Sequence, residues 1–411
     1  MRAMLTNFLV AVILLWSHAA PVAFAEETQP VASLSLNGES AVLIDAKTGQ
    51  VLYEKNPDEQ LYPASITKIA TGIYAIENGN PDDIVTVSKK ARYEEGTRVY
   101  LGEGEQVTLR KLEYGLLMHS GNDAATAIAE HMSGTTEQFA AELTRFVKEK
   151  TGVQHTNFTN AHGLHDPNHY TTALDMAKIA RYAMQNPIFR EIVGTNRLPW
   201  DGAEWKSELI NHNKLIRDYE GATGIKNGFT DQAMHTLVGS AKRGDTEFIA
   251  VTMKAASSNM AYQDVTTLLD YGFENFETKQ IGTAGEEFTR ASEKEGEAPV
   301  RFVATEDLYA TVPIGTEPDV QVTPTDKLSV VAGPLSISYP LERLDPPAET
   351  NAEQAAADAG QANQAGGDVP VAYYFLLIVW LALNLFLIAS TVARTRRRRR
   401  MRRRELQRKI Y

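Results

Sequence analysis

From Val371 to Ala393 the chain runs for 23 residues without a charge, interrupted by a single amide, Asn384. As a helix rising 1.5 Å per residue this segment covers about 34 Å, enough to cross the hydrocarbon core of a bilayer. Arg394 and the run Arg396 to Arg404, broken only by Met401, follow at once. A basic cluster at the end of an apolar span stays on the cytoplasmic side. A buried core helix and a nucleic-acid-binding tail are the competing readings of the two segments. At the other end, Arg2 precedes the apolar run Phe8 to Trp16, which is too short to span, and Ala23-Phe24-Ala25 suits a small-x-small cleavage site. Residues 1–25 therefore read as a secretory signal peptide, with an uncleaved anchor as the alternative. A leader in front and an anchor behind place residues 26–368 outside the cytoplasm and make the protein a single-pass membrane protein.

Charge supports that division. The whole chain carries a formal charge of -11, but Arg394 to Tyr411 holds eleven Lys or Arg and one acid, Glu405. Setting aside that tail and Arg2 leaves 29 bases against 51 acids, a net of -22 for residues 26–368. An acidic main body argues against nucleic acid as a partner. The chain has no cysteine, which excludes disulfides, a thiol nucleophile and Cys-based metal sites.

Within this body the patterns change along the chain. Ala41 to Ile44 and Gln50 to Tyr53 flank Asp45-Ala46-Lys47-Thr48-Gly49 and predict a β-hairpin. Ile84 to Val87 reads as a short strand, and Val99 to Val107 as strand and turn. Leu109 to Met118 predicts an amphipathic helix, ending at His119-Ser120-Gly121-Asn122-Asp123. Asp123 is expected to cap the next helix, Ala124 to Met132. Phe139 to Lys150, Leu174 to Gln185 and Val265 to Phe276 also read as helices, and Asp175 as a helix cap. Thr236 to Ala241 and Phe248 to Met253 read as sheet strands beside Lys226. From about Glu277 to Leu344 short β-prone segments alternate with Pro and Gly, a small all-β domain. Residues 345–369 have the composition of a flexible linker.

The chemistry centres on Tyr62-Pro63-Ala64-Ser65-Ile66-Thr67-Lys68. Ile69, Ala70, Ile73, Tyr74 and Ile76 follow at helical spacing, and Pro63 suits a helix start. Ser65 then lies in the first turn and Lys68 one turn later on the same face. A serine hydroxyl is a weak nucleophile until a base takes its proton. A lysine amine can be that base if burial or a second cation lowers its pKa. Ser-x-x-Lys alone is a common pattern; two further groups give it weight, Ser120-Gly121-Asn122 between two helices and Lys226-Asn227-Gly228 on a strand.

These three groups, in this order, resemble the active-site motifs of penicillin-binding proteins and serine β-lactamases. Tyr62-Pro63-Ala64-Ser65, Leu116 to Ala125, Asn160-Ala161-His162-Gly163-Leu164 and Gly224-Ile225-Lys226 look more particularly like the low-molecular-mass D-alanyl-D-alanine carboxypeptidases. The resemblance covers roughly Ser40 to Phe276. It implies an α/β (α+β) fold, an antiparallel sheet with helices on both sides and a helical lobe. It also implies that Ser65 attacks the carbonyl between the last two D-alanines of a peptidoglycan stem peptide, and that penicillins and other β-lactams acylate the same residue. Lys68 is the expected base. Asn122 would meet substrate and Lys68, and Ser120 with Lys226 would pass a proton to the leaving amine. Lys226 would also attract the terminal carboxylate, within a binding strand of Lys226, Asn227, Gly228, Phe229 and Thr230. The backbone N–H groups of Ser65 and Phe229 would hold the oxyanion.

One position departs from the family pattern. The third motif usually reads Lys-Thr-Gly, and here Asn227 replaces the threonine, so an altered rate or substrate preference is expected rather than loss of function. His162 is expected to be structural, since Lys68 fills the role of base. His119, His165 and His169 lack metal-ligand spacing, and no cofactor is implied. A serine β-lactamase and a non-catalytic wall-binding protein are the rival readings. The basic anchor and the trailing β domain favour the peptidase over the first, and the complete set of five polar groups favours it over the second.

Overall fold

The computed structural model describes residues 34–292 and 298–344; the segments read as leader, linker, apolar span and basic tail lie outside them. Among the described residues no helix is long and apolar enough to cross a membrane.

A five-stranded antiparallel sheet organises the molecule, with β1 (Ser40–Asp45), β2 (Val51–Lys55), β3 (Ala222–Thr230), β4 (Met234–Arg243) and β5 (Thr246–Ala255) in the order β2-β1-β5-β4-β3. The order follows from hairpins, β1 to β2 and β3 to β4 to β5, joined by pairing β1 against β5 with Ser40 opposite Met253 and Asp45 opposite Phe248. Side chains alternate across a strand, and the two faces enter two different cores. Ala41 and Leu43 join Leu237, Phe248, Val265 and Leu268. Val42 and Ile44 join Ile66, Ile69, Ile73, Val238 and Val251. Helices therefore cover both faces, and Thr236 to Ala241 of β4 are buried without interruption.

The Ser65 segment enters this second core. Ala64–Thr67 forms a turn of 3-10 helix, and α1 (Lys68–Asn78) continues it. The sequence placed Ser65 in the first α-turn; the tighter turn has three residues per revolution, so positions three apart eclipse. That geometry stacks Lys68 over Ser65 more directly than an α-turn would. Helix α1 buries Lys68, Ile69, Ala70, Thr71, Gly72, Ile73 and Ala75. A helix apolar nearly all round lies inside a domain, surrounded here by α2 (Leu109–Met118), α3 (Asn122–Ser133), α4 (Thr136–Thr151) and α5 (Ala173–Gln185).

The structure corrects three local readings. Val99 to Glu105 is not a strand; β-structure begins only at Gln106. Asp123 does not cap α3, because the cap residue is Gly121 and α3 starts at Asn122. Instead the buried Asp123 carboxylate accepts hydrogen bonds from the backbone N–H of Val99 (3.0 Å), Leu101 (3.1 Å) and Ala124 (2.9 Å), taking the place of a ladder partner. Burial pushes its pKa up, and these N–H groups pull it back down. Asp175 is likewise not a cap: Thr172 caps α5, while Asp175 binds the backbone N–H of His155 and the hydroxyl of Thr156. Two hairpin strands, Arg197–Asp201 and Lys206–Ile210, were not anticipated, since they are short, only Trp200 and Leu209 among them are buried, and Pro199 argues against a strand.

Residues 276–344 form short antiparallel sheets around their own small core of Leu308, Val312, Leu328 and Val330. They dock on the β1–β2 hairpin. Thr311 bonds Thr48 through the hydroxyls (2.8 Å) and donates its N–H to Gln50 (2.8 Å), and Lys47 lies 3.3 Å from the Tyr309 ring centre.

Replacing Asp123 by Ala leaves the buried N–H groups of Val99 and Leu101 without acceptors. Such groups cost about 1–3 kcal/mol each, so Asp123→Ala should lower unfolding free energy by about 2–6 kcal/mol in a urea titration. An unchanged midpoint would show that the 99–101 loop is held by other means.

Candidate active site

Lys68, the first residue of α1, has no exposed surface. Its Nζ lies 3.0 Å from Ser65 Oγ, 2.6 Å from Asn122 Oδ1 and 2.7 Å from the backbone oxygen of His162. The last two partners can only accept. A neutral amine has two N–H bonds and one lone pair; with both N–H bonds committed to carbonyl oxygens, its lone pair is left for the Ser65 hydroxyl. The environment favours that neutral form. Burial holds the Lys68 pKa well below its ordinary value, the positive charge of Lys226 lowers it further, and Asp123 and Glu94 oppose the shift.

The orientation of Asn122 is fixed independently. Its Nδ2 donates to the backbone oxygen of Glu95 (2.6 Å), and its backbone N–H donates to Thr97 (2.7 Å). This leaves Oδ1 for Lys68. The approach needs glycine at position 96, where φ is +80° and a Cβ would stand 2.8 Å from Asn122 Nδ2.

Two further contacts clamp the nucleophile's turn. Thr236 of β4 donates its hydroxyl to the backbone oxygen of Pro63 (2.9 Å). Thr67 donates to Ala64 (2.8 Å) and lies 2.8 Å from His169 Nε2. The other ring nitrogen of His169 accepts from the backbone N–H of Thr159 (3.0 Å), so Nε2 carries the proton and donates to Thr67. Burial drives the His169 pKa down to about 4, keeping the ring neutral. At position 228 a Cβ would stand 2.7 Å from the backbone nitrogen of Ser65, so glycine there lets β3 run directly beside the N–H expected to hold an oxyanion.

The structure thus brings Ser65, Lys68, Asn122 and Gly228 together. Lys226 is buried on β3, and burial lowers its pKa to about 7. Its Nζ donates to the backbone oxygen of Asn227 (2.7 Å), with Asn227 Oδ1 at 3.4 Å. Ser120 is buried in the α2–α3 loop at φ +64°, and its hydroxyl makes no hydrogen bond among the described residues. Ser120 and Lys226 are not hydrogen-bonded to each other, so the expected relay between them is not preassembled. Phe229 is 55% exposed and its ring lies 4.5 Å from that of His235. Thr230 Oγ1 accepts the N–H of Ala233 (3.1 Å), which employs its lone pair in the β3–β4 turn and leaves its proton free to donate.

His162 contributes its main chain to Lys68, while its ring accepts from the N–H of Leu164 (3.1 Å). Burial and the neighbouring Lys68 hold that ring far below its ordinary pKa. Its carbonyl, with those of Glu95 and Thr97, was invisible to motif reading because a backbone oxygen has no residue-type signature. His119, discounted as a metal ligand from its spacing, meets His212, which no motif singled out. Their rings lie 4.4 Å apart, and burial together with Lys226 lowers the pKa of both, that of His212 to about 3.

Residues 25–257 match the family described as D-alanyl-D-alanine carboxypeptidase. The chain is 34% identical to D-alanyl-D-alanine carboxypeptidase DacF of Bacillus subtilis over 303 residues, 72% of this chain and 77% of that one. It is 34% identical to DacD of Salmonella typhimurium over 67% of this chain and 73% of the relative. Among solved structures, penicillin binding protein 5 from Haemophilus influenzae superposes with a TM-score of 0.68 at 28% identity, covering 76% of this chain and 98% of that one.

The two lysines give opposite limbs to a pH profile. Deprotonated Lys68 can accept the Ser65 proton, and protonated Lys226 can hold an anionic ligand. With its pKa lowered from 10.5 to about 7, Lys226 is cationic below pH 7 and loses its charge above it. Acylation of Ser65 by penicillin should therefore fall above pH 7, approaching tenfold per unit for a single proton. Lys226→Arg, which cannot deprotonate in this range, should abolish that fall; its persistence in the variant would assign the limb elsewhere. Stability runs the other way. Each buried lysine leaves the fold less stable as pH falls from 10.5 toward the lysine's own lowered pKa, and the loss levels off below it.

Proposed function

The chain belongs to the D-alanyl-D-alanine carboxypeptidase family, and on that premise we infer that Ser65 releases the terminal D-alanine of peptidoglycan stem peptides through an acyl-enzyme. The observation that carries the assignment of roles is the Lys68 amine, buried, committed to two carbonyl acceptors and directed at Ser65 Oγ.

The substrate docks along β3. That strand is the edge of the sheet, so one row of its backbone N–H and C=O groups is open to an added extended peptide. The terminal carboxylate lies toward Lys226. Ser65 Oγ attacks the carbonyl carbon between the two D-alanines as Lys68 takes its proton. The N–H groups of Ser65 and Phe229 stabilise the oxyanion that forms. The carbon–nitrogen bond breaks, and the proton that Lys68 took passes by way of Ser120 and Lys226, which substrate brings into line, to the leaving amine, so that Lys68 is neutral again. D-Alanine departs, and water with Lys68 as base hydrolyses the ester. In penicillins the amine released by ring opening stays tethered, so the same acyl-enzyme persists.

Asn227 occupies the position where the family commonly has a threonine. Its carbonyl groups already engage Lys226, which gives it a part in setting that cation as well as in meeting the carboxylate. The uncharged run Val371 to Ala393 and the basic residues after it support a single-pass anchor, with residues 26–368 on the outer side of the membrane and the tail in the cytoplasm.

The full chain should take a covalent label from fluorescent penicillin and release D-alanine from a peptide ending in D-Ala-D-Ala, and Ser65→Ala should lose both. Label without release would leave a receptor rather than a peptidase. In the same assay Asn227→Thr should change turnover several-fold; equal rates would remove Asn227 from the contacts that matter. Truncation after Asp368 should move the protein from the membrane fraction to the soluble one, and continued sedimentation with membranes would reject the C-terminal anchor.

A further inference from the structure

A cavity of about 370 Å³ shares no residue with the site around Ser65. It lies between the β1–β2 hairpin, the last turn of α4 and one face of α5. Leu174, Lys178, Arg181 and Gln185 recur every three or four residues, so a single face of α5 lines it. Lys150 and Thr151 at the end of α4 border it on one side, and Thr48, Gly49 and Val51 of the hairpin on another.

The hairpin holds Arg181 in place. Arg181 Nε donates to the backbone oxygen of Ala46 (3.0 Å) and Nη2 to that of Lys47. The guanidinium lies against the turn at Gly49, where φ is +77° and a Cβ would stand 3.1 Å from Arg181 Cζ and Nε. Both acceptors are neutral carbonyls, and Nη1 makes no hydrogen bond among the described residues. The positive charge therefore has no carboxylate of its own. Asp45 faces it and opposes the fall in its pKa that burial causes. But Asp45 Oδ1 accepts the N–H groups of Lys47 (2.7 Å) and Thr48 (2.8 Å), and Oδ2 accepts the Thr278 hydroxyl.

Two more cations border the same space. Lys150 and Lys178 are exposed and make no ion pair or hydrogen bond among the described residues. Glu77 of α1 is occupied by the hydroxyl of Tyr182 (2.7 Å), another residue of the lining. Lone surface lysines are commonly just solvated. Here two of them flank a concavity whose arginine is fixed by the backbone, in a body of net charge -22. A concave surface of one sign concentrates ions of the other. One arginine fork and two ammonium groups match a ligand group with three oxygens and up to two negative charges, a phosphate ester. Ile44, Val51, Leu174 and the Tyr182 ring add an apolar wall for the carbon skeleton that carries it.

We propose that this cavity binds a phosphate ester of a sugar or polyol, with Arg181, Lys150 and Lys178 holding the phosphate and Tyr182 packing against the carbon skeleton. The site is independent of the reaction at Ser65. The ester belongs either to a water-soluble molecule or to a lipid head group, and the two sources share the chemistry that Arg181 and the lysines recognise.

The test is calorimetric binding to the purified full chain in a neutral detergent. The probes are sn-glycerol 3-phosphate, phosphatidylglycerol carried in the micelles, and glucuronate as a carboxylate of similar polarity. sn-Glycerol 3-phosphate should bind once per chain. Arg181→Gln and Lys150→Gln/Lys178→Gln should each weaken it at least tenfold, as loss of charge-assisted hydrogen bonds requires. The basic tail is common to every variant, so the difference between proteins belongs to the cavity. An unchanged circular dichroism spectrum shows that a variant is folded, and the double lysine substitution on exposed side chains decides the matter if Arg181→Gln is not. Binding of phosphatidylglycerol alone, with the same loss on substitution, would assign the ester to a lipid head group. Binding of sn-glycerol 3-phosphate would assign it to a soluble source. If neither shows binding that the substitutions weaken, or if glucuronate binds as tightly as the phosphate, the proposal is overturned.

Discussion

A lysine with no exposed surface is the constraint around which the site is arranged. Charged and alone, such a group would cost several kcal/mol to bury. It is kept because burial favours the neutral amine and because the side-chain oxygen of Asn122, at the start of α3, and the backbone oxygen of His162 take its N–H bonds. Those acceptors must be in place for the amine to face Ser65, so the α2–α3 loop and the 159–164 loop belong to the catalytic apparatus although neither supplies the nucleophile. The glycines at 96, 163 and 228 serve the same end. At 163 a Cβ would stand 1.9 Å from the oxygen of Ala64, and φ is +89°, so only a residue without one lets this loop close on the nucleophile's turn.

The sheet contributes precision of a different kind. Its two faces belong to separate cores, which leaves β3 little freedom to shift relative to α1 without disturbing both. Thr236 anchors the adjacent strand to Pro63, one residue before the 3-10 turn. The placement of Gly228 against the Ser65 nitrogen is therefore inherited from packing rather than from contacts between the reacting groups. The hairpin that carries Asp45 to Gln50 is in turn braced by Thr311 and Tyr309, so the C-terminal sheets extend the rigid frame rather than hang from it.

Much of this was legible in the residues because each signal had a local cause. The unbroken apolar run Ala41 to Ile44 beside a turn marked a strand whose faces enter different cores, and the apolar spacing after Lys68 marked a helix. Ser65, Lys68, Asn122 and Lys226 could be named because their side chains carry chemistry at recognisable spacing. What escaped was set by tertiary context. Asp123 and Asp175 look like helix caps, since an acid at a helix start usually is one; burial turned both into acceptors for distant loop N–H groups. The run Val99 to Leu101 has strand-like residues but gives its N–H bonds to a carboxylate. His119 and His212 come from segments far apart in sequence, and nothing in either announces the other.

The edge position of β3 has a consequence for how this protein avoids its own kind. An open strand edge invites pairing with any extended chain, including a second copy or a partly folded neighbour. If substrate docks on this edge as proposed, the recognition surface and the self-association hazard are the same row of backbone groups, and the edge cannot simply be covered. Lys226 resolves the conflict. A buried cation beside the open row penalises an apolar strand that would seal it from water, and welcomes a chain that brings a free carboxylate to the same place. On that docking, selectivity for a peptide terminus and resistance to strand-by-strand aggregation would arise from one charge.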